Sequence, residues 1–257
     1  GLRWRALTDL GRAAEALAEA RVELAPGTGP VGEGDLSAGT DPAGAAEARL
    51  WAALAAMVCG EAELAEAWLI TAAELLAGVA GHAGLQARVA QLRGNLEHLR
   101  GRVDAAVGWY ERAAADFAIA GEAIGRTLLA ANLAALAIVG GDVGRGLEHG
   151  RAALRGYLAL GRVQALPELA VNLVQLLVKA GSLAEARGLA LLLRRLLAGG
   201  VGGPLAQARR ARVDAELAFG AWLGGARVDV LAAFATAAQQ LAEAGAGREA
   251  VEAGLRA

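Results

Sequence analysis

Three histidines, one cysteine and one lysine are the side chains here best suited to chemistry: His82, His98, His149, Cys59 and Lys179. No two of them stand at metal-ligand spacing. Glu97 and His98 are neighbours, as are Glu148 and His149. Adjacent residues on a helix point roughly 100° apart, so neither pair forms an acid–base dyad. Cys59 precedes a glycine and reads as a small buried apolar residue. The run Gly27-Thr28-Gly29-Pro30-Val31-Gly32 has the letters of a dinucleotide-binding turn. Such a turn must join a strand to a helix, and this one holds a proline with no strand pattern around it. Lys179 lies outside any glycine-rich loop, which excludes a P-loop. No catalytic residue, no metal site and no cofactor are expected.

The elements around these residues follow from composition. The chain has 257 residues and 56 % hydrophobic residues, but only 4 % aromatics. Alanine and leucine supply most of the apolar content, and both are strong helix formers. No stretch alternates β-branched and polar residues, so an all-α fold is expected. The formal charge of −2 lacks the clustered positive surface that nucleic acid requires. A single cysteine excludes an internal disulfide framework and suits a cytoplasmic setting. The opening Gly1 to Arg5 runs straight into amphipathic sequence and does not read as a secretion signal. Mean hydropathy is +0.39, and Thr127 to Gly141 is the most apolar stretch. It contains Asn132 and is shorter than the roughly twenty residues a bilayer needs, so a buried helix and no membrane span are expected. The chain starts without Met and stops in helix-like sequence, as an excerpt of a longer protein would.

A repeat organises the sequence. Gly60, Gly101, Gly141, Gly181 and Gly225 recur at spacings of 41, 40, 40 and 44. Five residues after each glycine stand Ala65, Ala106, Gly146, Ala186 and Val230. Twelve after stand Ala72, Ala113, Ala153, Leu193 and Ala237, and sixteen after stand Leu76, Phe117, Tyr157, Leu197 and Leu241. Offsets differing by three or four fall on one helix face. Small residues at the first two offsets admit a neighbouring helix, and large ones at the third fill the space where a pair splays. Each glycine ends one helix, because it accepts a left-handed backbone freely. Asp104, Asp142 and Ser182 follow nearby and suit the positive start of the next helix.

Each repeat therefore reads as helix A, a glycine turn and helix B. The expected pairs are 43–59 with 61–79, 83–100 with 102–120, 122–139 with 142–160, 162–180 with 182–199, and 204–223 with 226–244. A partial pair at 2–10 and 12–25 turns at Gly11, and a truncated helix begins near 246. Pro167 marks a first turn starting near 166. The domain plan is a partial repeat over 1–25, a Gly/Pro-rich linker over 26–44 and helical repeats over 45–257. Gly199 to Pro204 is a second, shorter break.

These columns resemble the tetratricopeptide repeat. Ala106 and Tyr110 match its helix-B pair, as Val230 and Phe234 do more loosely. Gly94, Leu133, Leu173 and Leu217 fall at or beside its helix-A Leu-Gly step. Asn132-Leu133 and Asn172-Leu173 match its Asn-Leu step. The resemblance implies a right-handed α-solenoid of antiparallel helix pairs. The family's period is 34, whereas this one is near 40. The longer period resembles degenerate arrays in large bacterial signalling proteins.

In such an array helix A lines the concave groove. Asn95, Asn132 and Asn172 lie there, able to bond an extended peptide or to bridge adjacent helices. Arg88 and Arg126 line the same groove or stay solvated. Some relatives hold a carboxylate terminus with asparagines plus basic residues. Here the basic places read Gln91, Glu168 and Asn172, so that clamp is absent. Trp68 and Trp109 share one offset and serve repeat packing or an aromatic contact surface. The expected function is a protein-interaction or regulatory scaffold for a protein or peptide partner, including other domains of the same chain. The alternative is a structural spacer or regulator inside a larger kinase or signalling ATPase.

Overall fold

A computed structural model describes residues 3, 4, 7, 12–24, 41–198 and 203–257. Among them there are twelve α-helices and no strands. They are α1 (Ala13–Glu23), α2 (Pro42–Val58), α3 (Ala62–Leu76), α4 (Ala83–Leu99), α5 (Val103–Ile119) and α6 (Ala123–Gly140). Then come α7 (Val143–Ala159), a 3-10 turn (Val163–Ala165), α8 (Leu166–Lys179), α9 (Leu183–Leu196), α10 (Gly203–Leu223), α11 (Val230–Glu243) and α12 (Gly247–Gly254). Helices α2, α4, α6, α8 and α10 are the A helices, and each is followed by its B helix. The fold is all-α, built of stacked helix pairs.

The ladder glycines end the A helices as expected. Their φ angles run from 72° to 87°, where a side chain is disfavoured. The helix then closes with a bond reaching back five residues: Glu61 N–H donates to Ala56 O at 2.8 Å, and Ser182 N–H to Leu177 O at 2.8 Å. A second ladder ends the B helices. Gly121, Gly161 and Gly245 also have positive φ, and Glu122 N–H donates to Phe117 O at 2.9 Å.

Caps divide the starts of the B helices. Asp142 accepts from Arg145 N at 3.0 Å, and Asp229 accepts from Ala232 N at 2.9 Å. Ser182 holds the N-cap position without a side-chain cap bond, and Asp104 lies inside the first turn of α5. The Asp229 cap starts α11 at Val230, later than the expected 226. Helix α3 stops at Leu76, short of 79, because Ala77 is extended and Gly78 has positive φ. Pro167 occupies the first turn of α8, which starts at Leu166.

The chain divides into two compact units, residues 1–129 and 130–257, with the division inside α6. In the first unit α1 packs on α2, α2 on α3, α3 on α4 and α4 on α5, and A helices α2 and α4 also touch. Its core joins Trp4, Leu7 and Leu17 to Leu50, Leu69, Leu76 and Leu96. In the second unit α8 packs on α7, α9 and α10, α10 on α9 and α11, and α11 on α12. Its core gathers Tyr157, Leu169, Leu173, Leu177, Leu193 and Val213. The offset columns are buried: Ala65, Ala72, Ala106, Ala113 and Ala153 at 0 %, and Phe117 at 2 %.

Some expectations change. Residues 25–40 lie outside the described residues, and with them most of the expected linker, including Gly27 to Gly32. Its last residues belong to α2 instead: Asp41 accepts from Ala43 N at 3.0 Å as N-cap, and Pro42 opens the helix. Gly11, the expected first turn, and residues 199–202 are likewise outside the described residues. Cys59 is exposed, not buried, because it caps the end of α2 just before the turn at Gly60. Helix α6 is the one helix among the described residues long and apolar enough to cross a membrane by length and composition. Only 33 % of it is buried. Leu129, Leu133, Ala134 and Leu136 are buried, while Ile124, Leu128 and Val139 are exposed, so the expected buried helix is buried on one face only.

Candidate functional site

The A helices carry the residues proposed for a groove, and the structure sorts them. Asn95 lies on α4, and its Oδ1 accepts the Tyr110 hydroxyl at 2.7 Å. The aromatic ring of Tyr110 lies against Gly94, where an added Cβ would stand 2.4 Å from Cδ1. The oxygen of Asn95 is thus spent on joining α4 to α5, as the helix-bridging reading expected. Asn132 on α6 and Asn172 on α8 are half-buried, and among the described residues neither side chain has a hydrogen-bond partner. They hold one repeat position on successive A helices of the second unit. Nearby, a small residue on helix B meets a large one on helix A: Leu173 Cδ1 would lie 2.9 Å from a Cβ at Gly150. This contact joins α7 to the A helix of the following repeat, and among the described residues no Tyr hydroxyl bonds Asn132 or Asn172.

Arg88 and Arg126 belong to the first unit. Arg88 pairs with Glu122 at 3.2 Å and borders a hollow of about 580 Å³. Glu47, His82 and Gly84 share that border. Arg126 is exposed, and its side chain has no ion-pair partner among the described residues.

Sequence reasoning missed a different cluster. Trp109 on α5 borders two cavities, of about 240 Å³ and about 230 Å³, on the side where α3, α4 and α5 meet. The guanidinium of Arg93 sits 4.9 Å from its ring centroid, and that of Arg112 sits 5.7 Å away. Such stacking favours a cation by about 0.5–1 kcal/mol at exposed sites. Arg93 stands eight residues before Gly101 and Trp109 eight after, so an antiparallel hairpin turning there sets them face to face. That symmetry was readable in the sequence. The same arithmetic puts Ala52 opposite Trp68, and Trp68 accordingly packs on the core. The expectation for the tryptophan column thus splits, with Trp68 in packing and Trp109 on the cavities.

The acids beside Trp109 are already engaged. Arg100 pairs with Glu66 at 2.5 Å and with Glu97 at 3.4 Å, and Arg102 also pairs with Glu97. The hydrogen bond from Arg100 holds the Glu66 carboxyl below its usual range, against a smaller opposing effect of desolvation. Arg93 and Arg112 have no carboxylate within ion-pair distance among the described residues.

The second unit holds one buried ionic group. Glu216 is 0 % exposed and Arg212 is 5 % exposed. Glu216 Oε1 accepts from Arg212 Nε at 3.1 Å and from Arg256 Nη1 at 2.5 Å, while Oε2 has no partner among the described residues. Both guanidiniums also lie over Phe234, at 5.3 and 5.2 Å. Burial pushes the Glu216 carboxyl above its ordinary value despite the opposing arginines. Among the described residues no three His, Cys, Asp or Glu side chains gather as a metal site.

No protein-family model and no curated protein matches this sequence. Among solved structures it is similar to the crystal structure of aspartyl phosphate phosphatase F from Bacillus subtilis. The TM-score is 0.58 at 11 % identity, over 84 % of this chain and 60 % of that one. The likeness is one of fold, and this chain spans less than two thirds of that protein's length. The all-helical repeat architecture expected from the glycine ladder is thereby matched in a solved protein.

Proposed function

We propose that this chain is a non-catalytic helical-repeat scaffold that binds a protein or peptide partner along its A helices. The observation carrying this reading is the unspent pair Asn132 and Asn172, half-buried and without hydrogen-bond partners among the described residues. A half-buried amide keeps its donors and acceptor available to a partner, and a peptide backbone meets both. Asn95 differs because Tyr110 already occupies its oxygen. The bacterial phosphatase of similar fold is compatible with a signalling role, which stays part of the proposal.

A peptide-array screen with the purified chain tests this, repeated with Asn132→Ala plus Asn172→Ala. The doubly substituted chain should keep its helical circular dichroism and lose the peptides that the parent retains. Peptides retained equally by both chains, or by neither, would overturn the asparagine groove.

A further inference from the structure

We infer that the first unit carries a separate binding site for an acidic protein segment, built by Arg93 on α4 with Trp109 and Arg112 on α5. It lies on α3, α4 and α5 of the first unit, shares no residue with Asn132 or Asn172, and does not depend on them.

The charge pattern singles out the ligand. The guanidinium carbons of two arginines lie over one indole ring, at 4.9 and 5.7 Å from its centroid. Stacking uses the face of a guanidinium and leaves its edge N–H donors free. Among the described residues neither has a carboxylate within ion-pair distance, and Glu66 and Glu97 are taken by Arg100 and Arg102. An incoming carboxylate thus meets two pre-oriented donor forks without displacing an internal partner. Asp116 on the border of the first cavity opposes it, and Glu66 and Glu97 on the border of the second are already neutralised by Arg100 and Arg102.

Size and lining then favour a peptide segment over a cofactor. Each cavity, at about 240 and 230 Å³, falls below the roughly 300–1,000 Å³ of small-molecule pockets. Arg93 and Trp109 border both, so the two adjoin. The first holds both arginines, while the second is walled by Leu69, Ile70 and Leu96 together with the ion-paired Glu66 and Glu97. Ile70 is 44 % exposed, so its wall is open to solvent. A segment placing a carboxylate side chain in the first cavity and an aliphatic one in the second satisfies both. Trp109 and the arginines are also the residue types that dominate interface energetics.

Fluorescence anisotropy on the full chain tests the site. The probes are short fluorescein-labelled peptides with one Glu beside two Leu in a Gly/Ser background, the same peptides with Gln or phosphoserine in place of Glu, and free glutarate as competitor. The Glu peptide should bind at least about tenfold more tightly than the Gln peptide, as expected when a charged hydrogen bond is lost. Arg93→Gln or Arg112→Gln should reduce it to the Gln level, Trp109→Phe should weaken it, and rising salt should weaken it further. Asn132→Ala should leave it unchanged, so loss of this site and loss of the asparagine groove read out separately. Arg112 is exposed, so its substitution keeps the fold intact. Equal binding of the Glu and Gln peptides, indifference to both arginine substitutions, or no binding at millimolar peptide would each overturn the proposal. Binding of the phosphoserine peptide alone would reassign the site to phosphate, and full displacement by equimolar glutarate would reassign it to a small carboxylate.

Discussion

Single residues show how closely these helices are fitted. Gly94 and Gly108 both stand inside helices of one hairpin, yet their environments are opposite. A Cβ at Gly94 would meet the Tyr110 ring at 2.4 and 2.5 Å, whereas one at Gly108 would meet nothing within 4 Å. Alanine is favoured over glycine in a helix by roughly 0.8–1.0 kcal/mol. Gly108→Ala should therefore raise stability by up to about 1 kcal/mol. Gly94→Ala should lower it by about 1–3 kcal/mol, because overpacking outweighs helix propensity. Urea denaturation of the two variants checks both signs, and equal shifts would show that Tyr110 can move aside. The resemblance to a repeat family marked Gly94 as a step residue. The aromatic ring that makes glycine necessary there comes from another helix, so its role was not legible locally.

At the scale of elements, the last helix is tied down by a charge in an apolar setting. Arg256, just beyond α12, reaches Glu216 on α10, and Arg212 completes the group. Removing two charges from water is costly, and pairing recovers the loss only when every polar atom is satisfied. Glu216 Oε2 is not. The raised carboxyl pKa makes the folded state hold a proton that the unfolded chain releases near pH 4.5. The Glu216 contribution is thus fully present below about pH 4.5 and is lost as pH rises through the higher folded value. Compared with Glu216→Gln, which does not titrate, the parent chain should lose stability as pH rises above about 4.5, by about 1.4 kcal/mol per unit of raised pKa. Urea midpoints of both chains at several pH values measure the gap. A gap that grows in favour of the parent with rising pH would mean that the arginines prevail over desolvation. The apolar columns of α10 and α11 were readable from periodicity. The charge was not, because Arg212 and Glu216 are four apart and look like an ordinary surface pair.

On the scale of the whole molecule, local fitting should have local consequences. Repeat arrays behave as nearest-neighbour chains, in which each element is held by those beside it. Hydrogen exchange of Gly94→Ala should therefore quicken in α3, α4 and α5, whose packing includes Tyr110, and stay unchanged in α9, α10 and α11. A uniform rise across the chain would refute this and show a single cooperative unit. The sequence by itself determined the period, the helix pairs, the glycine stops and the buried columns, because each is a property of one helix and its turn, written in spacings of three, four and forty residues. It also held the symmetry about Gly101 that sets Arg93 against Trp109. Only the tertiary structure decided which side chains are spent: Asn95 on Tyr110, Glu66 and Glu97 on Arg100 and Arg102, with Asn132, Asn172, Arg93 and Arg112 left without a hydrogen-bond or ion-pair partner among the described residues. Those pairings join residues from 3 to 34 positions apart, or leave them alone, according to how the helices pack. Periodicity along one helix carries no information about the atoms that packing brings against it.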